Sequence, residues 1–377
     1  MPQREAYDVV IVGGGIAGAS LAYFLAEYQA EVLLLERENE WARHSTGRSA
    51  ATLSQLDPTD AVLELKVLGG RFLRDPPSGF SPHPLLRPNG TLTLYDQAGW
   101  AACRSRQPVF AAMGLSIERL APDEVRSRVP ALTDPDIAGG VWVASDGRLD
   151  VHEILSAYLG GARARGVEVE SGCGVTGFLR GGSRVTGVRL GAREVRARVV
   201  VAAAGAWNLT LAAWAEAAPI PLRPLRRCAA IFTPEQDALA PDAPLVVAEH
   251  RSVYFVPEGG DLLMSPMDQV ESPPCEPVVD DLVIAEGMAR LVAVAPRLRA
   301  RRVKRTWAGL RTFAPDLVHV VGEDPHRPGF FWLAGQGGYG IETSASVGRV
   351  AADLLAGRRP GLFDPARLSP ARFLGRS

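Results

Sequence analysis

"YDVVIVGGGIAGASLAYFLAEYQAEVLLLERE", residues 7–38, holds three textures in succession. It begins with a continuous apolar run, the pattern of a central parallel strand covered on both faces. Residues 16–28 then place apolar side chains at helical spacing, and residues 31–38 return to a second strand. The stretch thus has the length and pattern of a βαβ unit. Gly13, Gly15 and Gly18 fall at the turn between strand and helix. Gly13 permits the tight turn, Gly15 lets backbone approach a pyrophosphate, and Gly18 lets the helix pack closely on the strand. Free N–H groups and the dipole at the helix start favour that pyrophosphate. Glu36 ends the second strand, with Arg37 beside it, and is placed to accept hydrogen bonds from a ribose diol. The turn predicts a bound dinucleotide and leaves both FAD and NAD open.

The same grammar returns further along. Asp150 offers an N-cap with Glu153 three residues on, ahead of the helical "ILSAYLGGARARG". Strands "VEVESG" and "ARVVVAAAG" follow it. Residues 76–96 are rich in proline and short β-like runs, and residues 219–277 alternate β-branched stretches with prolines and glycines, which reads as a separate antiparallel layer. The expected fold class is α/β. A Rossmann-like domain with a parallel sheet (residues 1–75, 146–222 and 316–377) is interleaved with an α+β substrate domain on a mostly antiparallel sheet (residues 76–145 and 223–315).

Bulk properties narrow the function. A chain of 377 residues with 47% apolar content supports about two domains at ~150 residues each, with cores of their own. With 41 basic and 42 acidic residues, nothing in the overall charge calls for nucleic acid. The basic run "RLRARRVKR", residues 297–305, reads as a solvated helix end or edge strand. Lys66 and Lys304 are the only lysines, which leaves little room for Schiff-base or P-loop chemistry. Cys103, Cys173, Cys228 and Cys275 stand far apart without zinc or redox spacing, so no metal is expected and a reducing cytoplasmic setting fits, with peripheral membrane attachment as the alternative. The apolar run at residues 9–26 is long enough to imitate a membrane span, but its glycines suit a buried βα unit, and neither a transmembrane segment nor a signal peptide is expected.

Three further segments favour FAD. "RHSTGRSAA", residues 43–51, supplies Ser45, Thr46, Arg48, Ser49 and Ala50 to a loop suited to run under a pyrophosphate and ring system. "VVVAAAGAW", residues 199–207, is a strand ending in a small-residue turn with Ala204, Gly205 and Trp207. "GQGGYGIETSASVGRVAADLLAG", residues 335–357, is a second glycine turn feeding a helix. On "HSTGRSAA", "PPSGFSPHPLL", "AAAGAW", "PLRRCAAIF", "SVYFVP", "TWAGLRTFAPD" and "GQGGYGIETSASVG", the chain resembles the D-amino-acid oxidase, glycine oxidase and sarcosine oxidase superfamily of FAD enzymes. Within it, the chain is most similar to the D-arginine dehydrogenase type, and the motifs span essentially its whole length. The aromatic hydroxylases share the first turn but typically carry a "GDAAH"-like turn near the end, where this chain has "LAGQGGYG". The resemblance implies noncovalent FAD, held by the residues above with Val175, Gly335, Gly337, Gly338, Tyr339, Gly340 and Ile341. The second turn would close on the isoalloxazine end, and a helix from about Ile341 would aim its N-terminal dipole at the flavin pyrimidine.

The activity implied by the resemblance is oxidative deamination, with hydride passing from Cα to flavin N5, so the protein must position substrate rather than supply a nucleophile. Arg311 in "TWAGLRTF", Tyr254 in "SVYFVP" and Arg227 in "PLRRCAAIF" match positions that contact substrate carboxylate in the similar dehydrogenase. A guanidinium fork suits that bidentate task. His44 is the titratable residue nearest the flavin loop and the fourth catalytic candidate. That enzyme also carries a tyrosine where this chain has Leu53, and an acid for its substrate's guanidinium; residues 84–95 here contain no acid and do contain Arg87. The expectation is therefore a D-amino acid with a neutral, apolar side chain. The segments matching the oxygen-activating lysine and the flavin-linking cysteine of sarcosine oxidases lack both, which favours a dehydrogenase passing electrons to a quinone or electron-transfer protein rather than oxygen. A glycine or sarcosine oxidase and a flavin-binding module without turnover are the alternatives.

Overall fold

Two large sheets organise the chain, as seen in a computed structural model that describes residue 4, residues 6–236 and residues 239–374. In the first, strands Phe330–Ala334, Arg193–Ala202, Ala6–Val12, Val32–Leu35 and Glu168–Glu170 lie side by side, all parallel. Antiparallel strands extend this sheet: Arg184–Leu190 and Gly177–Gly181 on one side, and Val320–Glu323 against Phe330–Ala334. Helices Ile16–Leu25, Val151–Ala164 and Ser344–Leu355 cover one face with a core that includes Ile11, Leu21, Leu34, Tyr158 and Val350. Helix Asn208–Ala215 covers the other, over Val10, Leu33, Val200 and Trp332. The central strands are buried on both sides, which is why they read as unbroken apolar runs.

Asp150 caps its helix as expected, its carboxylate accepting the Glu153 N–H at 2.9 Å. Glu153 does not close the box; its side chain accepts from Ser81 Oγ at 2.6 Å. The helix expected from Ile341 starts later, at Ser344. Residues 341–343 form a turn ahead of it, in which the Thr343 N–H and hydroxyl both donate to the Tyr339 carbonyl.

The second sheet is mostly antiparallel and runs in the order Val270–Glu271, Arg223–Pro234, Asp261–Ser265, Val253–Glu258, Leu245–Ala248, Thr91–Tyr95, Gly139–Val143 and Glu118–Leu120. The long strand Ala300–Phe313 pairs with Arg223–Pro234 along nearly its whole length and forms an edge. Its exposed first half carries residues 300–305 of the basic run, which begins at the end of the short 3-10 helix Pro296–Leu298, so helix end and edge strand share it. Helix Asp281–Val294 covers one face of this sheet over Cys228, Ala230, Phe232, Phe255 and Met264. The opposite face, with Ile231, Val247, Tyr254, Leu263 and Trp307, packs against Ala50 of the loop that follows the second parallel strand. Among the described residues no helix is long and apolar enough to cross a membrane.

Candidate active site

A cleft at the carboxyl ends of the parallel strands, where open α/β sheets bind ligands, gathers many of the residues singled out above. Gly13, Gly15, Glu36, Arg37, His44, Ser45, Thr46, Val175, Ala204, Gly205, Trp207 and Gly337 all line it. Gly13 has φ +115°, and a Cβ there would stand 2.5 Å from the Ala203 carbonyl oxygen. Gly18 lies outside the lining; a Cβ on it would overlap the Gly13 carbonyl oxygen, so its task is to let the helix seat on the strand. Glu36 pins the turn, its two oxygens accepting the Gly14 and Glu38 N–H groups at 2.8 and 2.9 Å. Each carboxylate oxygen keeps a second lone pair for a ligand.

His44 belongs to this end of the cleft. Its Nε2 lies 2.9 Å from Glu38 Oε1 and 3.1 Å from Arg37 Nη2, and its ring packs on Trp207 at 4.5 Å between centroids. These partners flank the end of the second strand, and no hydrogen bond or ring contact among the described residues joins His44 to Arg311, Tyr254 or Arg227. His44 therefore lies on the cleft wall with Glu38, Arg37 and Trp207 as its neighbours, apart from the two arginines and the tyrosine.

Arg48, Ser49 and Ala50 also fall outside the lining and instead seam their loop to the second sheet. Arg48 donates to the Ala308 carbonyl at 3.0 Å and pairs with Glu276, while its own carbonyl accepts the Trp307 indole N–H at 3.1 Å. Ser49 Oγ accepts the Ala51 N–H at 3.1 Å.

The second glycine turn contributes Gln336 and Gly337 to the lining. Gly335 and Gly337 have φ +72° and +51°, and the Gly337 N–H donates to the Thr312 carbonyl at 2.9 Å. Gly338, Tyr339, Gly340 and Ile341 sit behind them. The buried Tyr339 donates to the Leu317 carbonyl and packs against Phe313 and His319. Below the turn, Lys66 lies 3.0 Å from Asp57 and 3.1 Å from Glu342. Burial disfavours its ammonium, but Glu342 and Asp57 more than offset that and hold its pKa above the ordinary value. His319 is driven by burial down to about 3 and stays neutral, 2.9 Å from Thr343 Oγ1.

Register brings the remaining candidates together. Arg311 stands opposite Leu225, and Gly309 opposite Arg227, so both arginines point from the same face of the second sheet. Tyr254 is opposite Ser265 and shares the cluster of Ile231, Leu263 and Trp307 on that face. Arg227 is 8% exposed and donates to the Asp268 carbonyl at 2.6 Å; burial first, then Arg311, push its pKa down to about 9. The Arg311 side chain makes no hydrogen bond or ion pair among the described residues, and its guanidinium lies so close to Gly338 that a Cβ there would meet Nη1 at 2.7 Å. Two guanidiniums crowded together with so little counter-charge create a strong demand for an anion.

The family model described as FAD-dependent oxidoreductase matches residues 8–354. The chain belongs to the FAD-dependent oxidoreductase family. It is 28% identical to glycine oxidase from Pseudomonas putida over 98% of this chain and 99% of that one. Hydrogen cyanide synthase subunit HcnC from Pseudomonas aeruginosa is 26% identical over 98% and 97%. Among solved structures, the fold is similar to L-proline dehydrogenase from P. horikoshii (TM-score 0.89, 22% identity, 98% of both chains). It is also similar to L-amino acid deaminase from Proteus vulgaris (TM-score 0.85, 18% identity, 98% of both chains).

The cleft of this FAD-dependent oxidoreductase fits its cofactor. Gly15 brings no capping side chain to the first helix, whose N-terminal dipole faces the cleft, and Thr46 Oγ1 takes the Ile16 N–H at 3.0 Å. Farther along, Thr312 Oγ1 and Gln336 Nε2 are buried without any partner while their residues line the cleft, so polar groups wait there for a ligand. Sequence reading missed both residues. Thr312 carried a signal, since alternation places it on the other side of the strand from Arg311, and Gln336 was hidden among glycines.

Proposed function

We propose that this oxidoreductase is a D-amino-acid dehydrogenase with noncovalent FAD. It oxidises the amine at Cα to an imino acid, which water hydrolyses to the 2-oxo acid and ammonia. The observation that carries this reading is the convergence of Arg311, Arg227 and Tyr254 on one face, with Arg311 unpaired against Gly338 of the second turn. A substrate carboxylate meets that demand for an anion by accepting from the guanidinium fork and from the Tyr254 hydroxyl. Fixing the carboxylate orients Cα, and most of the chain's catalytic contribution is this positioning. Bound FAD supplies the two-electron acceptor for the Cα hydride. The amine binds neutral or gives its proton to water, and a carbonyl of the second turn accepts from it.

The D assignment rests on the resemblance to D-arginine dehydrogenases. The dehydrogenase assignment is supported by the lysines: Lys66 is locked between two carboxylates, and Lys304 pairs with Asp261 at 2.7 Å. The test is product analysis after incubation with D- and L-amino acids and sarcosine, under air and with an artificial quinone. Ammonia and 2-oxo acid from D-amino acids, at a rate set by the quinone, are expected. Rapid peroxide formation from glycine or sarcosine under air would overturn the reading in favour of the oxidase.

A further inference from the structure

The basic run at residues 297–305 takes no part in the site described so far. It sets six cations in nine residues, Arg297, Arg299, Arg301, Arg302, Lys304 and Arg305, and all six are exposed. Lys304 pairs with Asp261 at 2.7 Å, and the other five have no ion pair among the described residues. The neighbouring strand brings no acid to them: Pro234 stands opposite Ala300, Thr233 opposite Arg302, Phe232 opposite Val303 and Ile231 opposite Arg305. Charge of either sign would keep such an edge from pairing with another copy of the chain. A run of one sign adds repulsion between neighbours, a cost that edge protection alone does not explain.

The outer edge of strand Ala300–Phe313 is divided. From Ala308 onward it is closed by the loop that lines the cofactor cleft: Arg48 donates to the Ala308 carbonyl at 3.0 Å and Ser45 to the Leu310 carbonyl at 2.5 Å. Leu310 and Thr312 are themselves part of the cleft wall. Residues 300–306 pair only with Arg223–Pro234, and no other strand among the described residues takes their outer side. The two halves meet at Trp307, whose ring lies 5.4 Å below the Arg305 guanidinium and whose indole N–H donates to the Arg48 carbonyl at 3.1 Å. Five residues of extended strand, about 17 Å, separate Arg305 from Leu310. The free, cationic half of the edge thus abuts the loop that walls the cofactor cleft.

We infer that residues 297–305 form the docking edge for an electron-accepting protein with an acidic face, which collects the electrons that the substrate leaves on the cofactor. The inference rests on the dehydrogenase reading, in which a carrier other than oxygen takes those electrons. Acidic side chains on the carrier meet the unpaired arginines and speed encounter. The free strand edge adds backbone hydrogen bonds that a polypeptide can take up, whereas a lipid headgroup would answer the charge alone. With haem carriers the transfer balances as two ferric haems each gaining one electron to become ferrous, while the two protons of the reduced cofactor pass to water.

Cytochrome c supplies matched probes, basic in its native form and acidic once its lysines are succinylated. The FAD-loaded protein is reduced with one equivalent of dithionite under argon, so that no amino acid is needed, and is mixed with each form. At low salt the wild type should reduce succinylated cytochrome c at least ~10-fold faster than native, and the ratio should fall toward one in about 0.5 M salt. In Arg301→Glu/Arg302→Glu/Arg305→Glu the ratio should drop to one or below, with reduction of a small neutral quinone unchanged. Titration calorimetry should show succinylated cytochrome c binding that variant's oxidised holoprotein at least ~10-fold more weakly. Equal rates for the two forms with the wild type, a ratio that charge reversal leaves untouched, or a matching fall in the quinone rate would overturn the assignment. Binding to phosphatidylglycerol vesicles, lost in the variant and without preference between the cytochromes, would assign the edge to an anionic membrane surface instead. Rapid reoxidation by oxygen, with the cytochrome ratio intact, would sink the dehydrogenase reading and leave the docking edge standing.

Discussion

In the first turn Gly13 and Gly18 are confined by backbone, whereas in the second Gly337, Gly338 and Gly340 are confined by side chains. A Cβ on Gly13 or Gly18 would press into a carbonyl of the chain itself. A Cβ on Gly337 would meet the Phe313 ring at 2.5 Å, on Gly338 the Arg311 guanidinium at 2.7 Å, and on Gly340 the Gln336 side chain at 3.0 Å. Backbone cannot yield without unseating the helix from the sheet, and a flexible side chain can move aside. The first turn is thus a requirement of folding as well as of cofactor binding, while the second sets how closely the site's working side chains approach.

That contrast fixes an order of effects. Gly18→Val should be the most damaging change, since overpacking the first helix against its own turn costs on the order of 3 kcal/mol and removes the pyrophosphate seat with it. Little soluble, yellow protein is expected; normal FAD content after purification would break the contrast. Arg311→Met should come next. The protein should fold and retain FAD, while half-saturation by substrate rises at least ~100-fold, as when one partner of a desolvated ion pair is removed. Gly338→Ala should be the mildest: Arg311 shifts aside and substrate capture falls roughly 10-fold, with FAD retention unchanged. A Gly338→Ala protein that loses FAD instead would place the second turn in the same structural class as the first.

The comparison also shows why sequence reading succeeded unevenly. The first turn sits between a strand and a helix that are contiguous in the chain, so residues 7–38 disclose strand, turn, helix and Glu36 together. The Asp150 cap was legible for the same local reason. What gives the second turn its character comes from elsewhere. Phe313 and Arg311 belong to strand Ala300–Phe313, and Arg227 reaches them only through the long pairing with Arg223–Pro234. Such pairing is non-local, and neither composition nor spacing encodes its register. His44 lines the cofactor cleft as its neighbours in sequence suggested, but its ring contacts with Glu38, Arg37 and Trp207 could not be read from the spacing.

The central claim is that the cofactor cleft and the paired arginines form one site, in which an α-amino acid held by its carboxylate reduces FAD. Its most direct measurement is anaerobic bleaching of the FAD-loaded protein by D- and L-amino acids, with the matching amines lacking a carboxylate as controls. The account predicts full bleaching by D-amino acids, none by their L-enantiomers, and at least ~100-fold weaker action by the amines. Bleaching by an amine as readily as by its amino acid would contradict it.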